Sequence, residues 1–294
     1  MRKLLGIFVC TLGSLAVVGQ ETELQYNPTS SLGIPRYEQM YKVRVWRAVD
    51  LLEKQNKGFF ARGNEITKLL LSAINSGELA DVYENDSLTR KLDKATLQEK
   101  LVASKADPSF TEWDPNRDYY TQDVAIVSGK YYEAQQDNKG KNPTTSPDDW
   151  SETTRGKAVN VIPSQIFLMK IVEDVIFDKR RSRLYYDMLA IGFFLFDDNA
   201  NVFKPIGWAK YKDLERVFRN HPEEAIWFNR YNTSENRNYA DAFLLRLFKG
   251  TIEKIENPDD NDIFSIYSNR KEAVMAMEWE EIKLMEREHN LWDY

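Results

Sequence analysis

The chain has 294 residues, with 40 Lys and Arg against 46 Asp and Glu, and its formal charge of −6 at pH 7 argues against nucleic-acid or anionic-membrane binding, which needs a basic excess. Hydrophobic residues at 42%, including 15 Tyr, 15 Phe and 7 Trp, are ample for a core. The single cysteine, Cys10, leaves the rest of the chain without a disulfide framework, a thiolate metal site or a cysteine nucleophile.

The N-terminus reads as a cleavable signal peptide, residues 1–19: basic Arg2 and Lys3, an interrupted apolar run from Leu4 to Val18, and a cut after Gly19. The run is shorter than the roughly 20 apolar residues of a spanning helix. Val9 stands before Cys10, where a lipoprotein signal carries Gly or Ala, so lipid attachment is not expected. Loss of Arg2 and Lys3 with the leader takes the charge from −6 to −8. No later segment is apolar enough to span a bilayer, and the mature chain is expected to be soluble and unanchored.

Residues 20–40 are polar, with Asn27-Pro28 and Ile34-Pro35 breaking any periodicity, and read as a flexible arm. Alternation through Val43, Val45 and Arg47 suggests a strand from Tyr41 to Leu51. Asn64 is placed to cap a helix whose Ile66, Leu69, Leu70, Ala73 and Ile74 share a face and which Gly77 stops. Thr96 and Glu99 form a capping box for a second helix, running to about Lys105. Between Gln165 and Phe196, β-branched and aromatic residues predict two or three strands joined by the basic turn 179–183. A tight turn at Asp197–Asn201 and a strand over Trp208–Tyr211 follow, then helices at 213–220, 238–254 and 271–289. Strands and helices come in clusters, so the fold class is α+β, a mixed sheet and helix domain carrying a small all-β insert.

No catalytic chemistry assembles. There is no Gly-x-Ser-x-Gly elbow and no phosphate-cradling glycine loop, and the two histidines, His221 and His289, read as surface residues. Zinc lacks ligands. The acidic loops at Asp197, Asp198, Asn199 and Asn201 and at Asp259, Asp260 and Asp262 lack the central glycine and distal glutamate of an EF-hand. Glu173 and Asp174, adjacent on a strand, face opposite ways and cannot act as a pair. No catalytic residue, cofactor or metal ligand is assigned.

Two segments carry resemblances. Trp113, Tyr120, Asp123, Gly129-Lys130, Tyr132-Glu133-Ala134, Gly140, Pro143 and Trp150 resemble the small chitin-binding modules of carbohydrate-binding families 5 and 12 over residues 111–152. Ser128-Gly129 turns a hairpin there between Val124–Val127 and Tyr131-Tyr132. The resemblance makes Tyr131, Tyr120, Trp113 and Trp150 candidate carbohydrate contacts, although core packing explains Trp113 and Trp150 equally well. Gln135 and Gln136 stand where stacking aromatics are usual, and Gln122 replaces a usual glycine.

Around this insert, residues 41–110 and 153–294 resemble the GldN (PorN) family of the gliding-motility and type IX secretion machinery of Bacteroidetes. The segments that carry it are Val45–Asn56, Phe59-Phe60, Gly77-Glu78-Leu79, Asp86-Ser87-Leu88, Glu173–Lys179 and Ile191-Gly192. The resemblance implies a non-catalytic periplasmic subunit that joins an outer-membrane lipoprotein of the GldK or PorK type, and other secretion subunits, in ring assemblies. Trp46, Arg47, Asp50 and Glu53 are then candidate partner contacts, with core packing the alternative for Trp46. Val274, Met277, Ile282 and Met285 along the terminal helix could dock a partner or pack on their own domain.

Overall fold

The computed structural model describes residues 27–104, 107–197 and 201–291; the signal peptide, Cys10 and the first residues of the expected arm lie outside them. The alternating stretch around Val45 forms strand β1, Gln39–Asp50. The β-branched run after Ile166 folds into a hairpin of β2, Leu168–Asp178, and β3, Arg183–Asp197, joined by the basic turn. Strand β4, Val202–Lys210, continues the meander, and β5, Thr251–Ile255, returns to the other edge. The resulting antiparallel sheet has the order β4-β3-β2-β1-β5.

Helices α1 (Ile66–Ser76), α2 (Lys94–Lys100), α3 (Tyr211–Asn220), α4 (Tyr239–Leu244) and α5 (Arg270–Leu291) complete the domain. One sheet face, through Val49, Met169, Ile171, Ile191 and Phe193, packs on Leu69 and Leu70 of α1, Leu214 and Phe218 of α3 and Phe243 of α4. Each fully buried aliphatic side chain in this layer contributes on the order of 1.5–3 kcal/mol. On the same face nearer β5, Val45, Val175 and Ile252 receive Met277 and Leu284 of α5. The opposite face carries Val172, Leu189, Phe194 and Trp208, covered by Tyr83, Leu88 and Trp46. Tyr83 also exchanges backbone hydrogen bonds with Trp208 at 2.7 and 2.8 Å, which occupies the edge of β4. Gly192 is required beneath Trp208, because a Cβ there would lie 2.6 Å from the indole.

Residues 111–153 form a separate small β unit, as expected. Its sheet places Trp150–Thr153, Lys130–Ala134, Val124–Val127 and Thr111-Glu112 side by side. Ser128 and Gly129, with φ of 52° and 77°, make the tight hairpin turn read from the sequence.

Several boundaries differ from the sequence reading. Asn64 does not cap α1: its side chain donates to the Ile226 carbonyl, and the helix starts behind Glu65, although Gly77 ends it in the left-handed conformation as expected. The helix expected to begin at Thr96 starts behind Asp93 and ends at Lys100. The helix expected over 238–254 stops at Leu244, since Arg246 turns left-handed at φ 53° and the alternating Thr251–Ile255 joins the sheet as β5. From Asn27 onward, the stretch expected as an arm lies against the sheet. Ser31 and Leu32 backbone amides donate to Asp187, and Ile34 and Glu38 are buried.

Two buried carboxylates tie stability to pH. Burial opposes the charge of Glu173, but Arg246 and Arg47 more than offset it and hold its pKa below the usual range. Asp178, also opposed by burial, is held low by the Arg181 guanidinium and the amides of Arg180 and Arg181. The unfolded chain therefore takes up protons at a higher pH than the folded one. Their contribution is complete above the usual carboxylate range and is lost as pH falls through the lower folded-state values. Calorimetry between neutral pH and about pH 3 should show the melting temperature falling steeply, and less steeply in Glu173→Gln, which melts lower at neutral pH. Identical pH slopes in the two proteins would refute this account.

Candidate functional site

The residues of the Trp-Arg motif point to opposite faces of β1, and the protein's own structure engages both. Trp46 donates from Nε1 to Asp86 at 2.6 Å, and the Lys254 ammonium lies 4.5 Å from its ring centroid. Arg47, only 3% exposed, reaches Glu173 Oε1 at 3.1 Å from Nε, and reaches Glu281 Oε2 of α5 at 2.7 Å and the Gly250 carbonyl at 3.0 Å through one terminal nitrogen. Glu173 is completed by Arg246, whose guanidinium donates at 2.6 and 3.2 Å and stacks 4.0 Å from the Tyr186 ring centre. The left-handed backbone of Arg246 brings this group back over the sheet. Sequence reasoning left Arg246 out because it lay inside an expected helix. Glu173 and Asp174 do face opposite ways: Asp174 takes Arg44 at 2.7 Å and Lys42 at 2.9 Å.

Of the four candidate partner contacts, then, Arg47 is buried and Trp46 half-buried in contacts within the chain. Asp50 accepts the Leu52 amide at 2.8 Å and ends β1, and only Glu53 stands exposed. The buried Asn56 side chain bridges this end of the motif to residue 249, donating to the carbonyls of Asp50 and Lys249 and accepting the Lys249 amide at 2.8 Å.

In the small β unit the candidate sugar contacts divide. Trp150 is buried and its Nε1 donates to the Lys141 carbonyl at 3.0 Å, while Trp113 packs against the same core. Tyr131 is half-buried on its strand, whereas Tyr120 is 63% exposed. The tyrosine that builds the core is Tyr119, with its ring 5.1 Å from that of Trp150 and its hydroxyl accepting the Asp114 amide at 2.7 Å. Tyr119 ends the two-residue strand Asp118-Tyr119 and Tyr120 lies just past it; the sequence reading named Tyr120 and passed over its buried neighbour. Gln122, at φ 76°, holds the left-handed backbone that glycine adopts without strain.

Among the described residues, no three His, Cys, Asp or Glu side chains are placed to hold a metal ion. His221 pairs with Glu78 at 2.7 Å, beside Asn220, which donates to the same carboxylate at 2.8 Å. In the acidic loop, Asp260 is ion-paired with Lys254.

Two surfaces gather exposed aromatic and apolar side chains. Phe60, Ala61, Trp227, Phe228 and Tyr231 line a groove of about 880 Å³ bordered by the exposed cations Lys54, Lys57, Arg62 and Arg230. Its aromatic loop is fixed by asparagines: Asn229 accepts the Tyr231 and Asn232 amides, and Asn236 accepts the Asn229 amide. The second surface is the outer side of α5, where Met275, Trp279, Ile282 and Met285 are exposed. The stripe expected along this helix is thus divided: Met277 turns inward, while Val274, Ile282 and Met285 remain exposed.

In this domain the motif residues join a sheet, a terminal helix and a returning strand. The chain matches the family described as Gliding motility associated protein GldN over residues 34–293 and belongs to it. That family comprises components of the gliding-motility and type IX secretion machinery. The match runs across the small β unit as well as the surrounding domain. No curated protein matches the chain.

Two substitutions probe the small unit. Trp150→Ala should cost about 3–5 kcal/mol through loss of its core, and Gln122→Gly should stabilise it by about 1 kcal/mol by relieving the left-handed strain. Hydrogen exchange over residues 111–153 checks both, and faster exchange in Gln122→Gly would contradict the second.

Proposed function

We propose that this chain is a non-enzymatic structural subunit of the type IX secretion and gliding-motility machinery, acting in the periplasm. An outer-membrane lipoprotein of the GldK or PorK type would hold it there and build ring assemblies with it. The observation that carries this reading is family membership over nearly the whole described chain. The internal chemistry is compatible with it, since the prominent charged motif serves folding and the exposed aromatic residues suit contacts with macromolecules.

In this reading the lipoprotein supplies the attachment to the outer membrane. Among the described residues no helix is long and apolar enough to cross a membrane, and Cys10 lacks the small residue that a lipid-attachment signal carries before it. A second reading, polysaccharide or peptidoglycan contact through residues 111–152, is favoured by the exposed ring of Tyr120.

Co-expression with the lipoprotein, followed by size-exclusion chromatography and electron microscopy, should give a co-eluting pair that forms large closed assemblies. Persistent separation of the two proteins would refute the proposal. Retention on chitin or peptidoglycan that is lost in Tyr120→Ala would establish the second reading, and no retention would remove it.

A further inference from the structure

The aromatic groove is a basic surface on an acidic chain. The formal charge is −6, yet Lys54, Lys57, Arg62 and Arg230 border the groove, and among the described residues no acidic side chain lines it. None of these four cations has an ion-pair partner among the described residues. The acids nearby in sequence lie elsewhere: Glu65, on the strand paired with Phe60, accepts the Gly63 amide at 2.9 Å, and Glu53 and Glu235 stand outside the lining. The positive charge is therefore local to the groove, where it attracts anionic groups that the rest of the surface repels.

The walls are already in place. The Lys57 ammonium lies 5.6 Å from the Phe60 ring centre and the Arg230 guanidinium 5.4 Å from that of Tyr231, so two of the cations are seated on the groove's own rings. Their aliphatic stems extend the apolar wall while the charged heads stay in water. Trp227 is wedged between Phe59, at 6.5 Å between ring centres, and the Gly58 backbone, where a Cβ would lie 2.3 Å from the indole nitrogen. That nitrogen is buried with no hydrogen-bond partner among the described residues, and the indole serves the groove as apolar surface. The Phe228 amide donates to the Gly58 carbonyl at 2.9 Å and joins the two walls. With the asparagine-held loop beside it, little ordering cost remains for a ligand to meet.

We propose that the groove takes an extended acidic peptide segment of a partner protein, one in which carboxylates alternate with aromatic or aliphatic side chains. The carboxylates meet the four cations, and the apolar side chains cover Phe60, Phe228 and Tyr231. A compact anion such as phosphate would satisfy the cations and leave the rings bare. A neutral apolar segment would cover the rings and desolvate the cations without pairing them. A polysaccharide needs hydroxyl-binding groups beside the rings, whereas the lining offers only the side-chain amides of Gln55 and Asn229 and the Tyr231 hydroxyl, and the Asn229 oxygen already accepts the Tyr231 and Asn232 amides. This assignment stands on the groove alone and does not depend on the lipoprotein.

Phage display of random short peptides against the full chain tests it, followed by fluorescence anisotropy with the selected peptide. The expected selection is rich in Asp and Glu interleaved with Trp, Phe, Tyr or Leu, and its affinity should fall as salt rises. Arg62→Glu with Arg230→Glu should weaken binding about tenfold or more, and Phe228→Ala with Tyr231→Ala should do so by a similar factor. A peptide carrying Lys at the acidic positions should bind the charge-reversed protein better than the original peptide does, which a loss of structure would not produce. These four positions are exposed, and unchanged melting temperatures would separate lost binding from lost folding. No selected peptide, a neutral or basic selection, or binding indifferent to these substitutions would overturn the proposal. So would hyaluronate displacing the peptide at matched charge, or self-association of the full chain that Arg62→Glu with Arg230→Glu abolishes, since either gives the groove to another occupant. A failed lipoprotein co-elution with intact peptide binding would count against the proposed function alone.

Discussion

Glu173 lies in the middle of the central sheet with no access to water, and an unpaired carboxylate there would be intolerable. Arg47 comes from the neighbouring strand, while Arg246 comes from a backbone turn that few residues other than glycine adopt. Their joint demand organises the domain. Arg47 extends the pairing to Glu281 and so fastens the terminal helix. Arg246 ends α4 and aims the chain toward β5, which closes the sheet beside β1. A buried ion pair is often no more stabilising than apolar residues of the same volume, but it is demanding about geometry. Here that geometry fixes where three distant parts of the chain meet.

The sequence could convey this only in part. The long hairpin of β2 and β3 and its basic turn were legible because periodicity, β-branching and charge agreed, and the same held for the face of α1 and the Ser128-Gly129 turn. The return of the chain through β5 was not legible. Between 238 and 254 the local pattern favours a helix, and the reason for breaking it, a carboxylate more than 70 residues earlier, is a tertiary constraint that no local window contains. Trp46 and Arg47 show the same limit. Tryptophan and arginine are the usual anchors of interfaces, and only their partners, Asp86 and Glu173, show that the chain uses them to hold itself together. Tyr119 closes a short strand with its ring in the core, whereas Tyr120, one residue past the strand end, is exposed.

With the motif engaged in folding, the surface chemistry lies elsewhere than the sequence suggested. Exposed cations and aromatic rings line the groove that meets, at Gln55, the cleft beside α5 and its buried charge cluster. The cluster beneath α5 fixes that helix on the sheet, so the same residues that specify the fold also position its exposed outer side.

The central claim is that Arg47 and Glu173 act as one structural unit rather than as an interface anchor. A double-mutant cycle by chemical denaturation tests it most directly. Arg47→Met or Glu173→Leu alone should each cost up to about 3–5 kcal/mol by leaving a buried charge short of one of its partners, with Arg246 still on Glu173 in the first case and Glu281 still on Arg47 in the second, and the double substitution should cost less than the sum of the two. Additive effects, or an Arg47→Met protein of undiminished stability, would contradict the account.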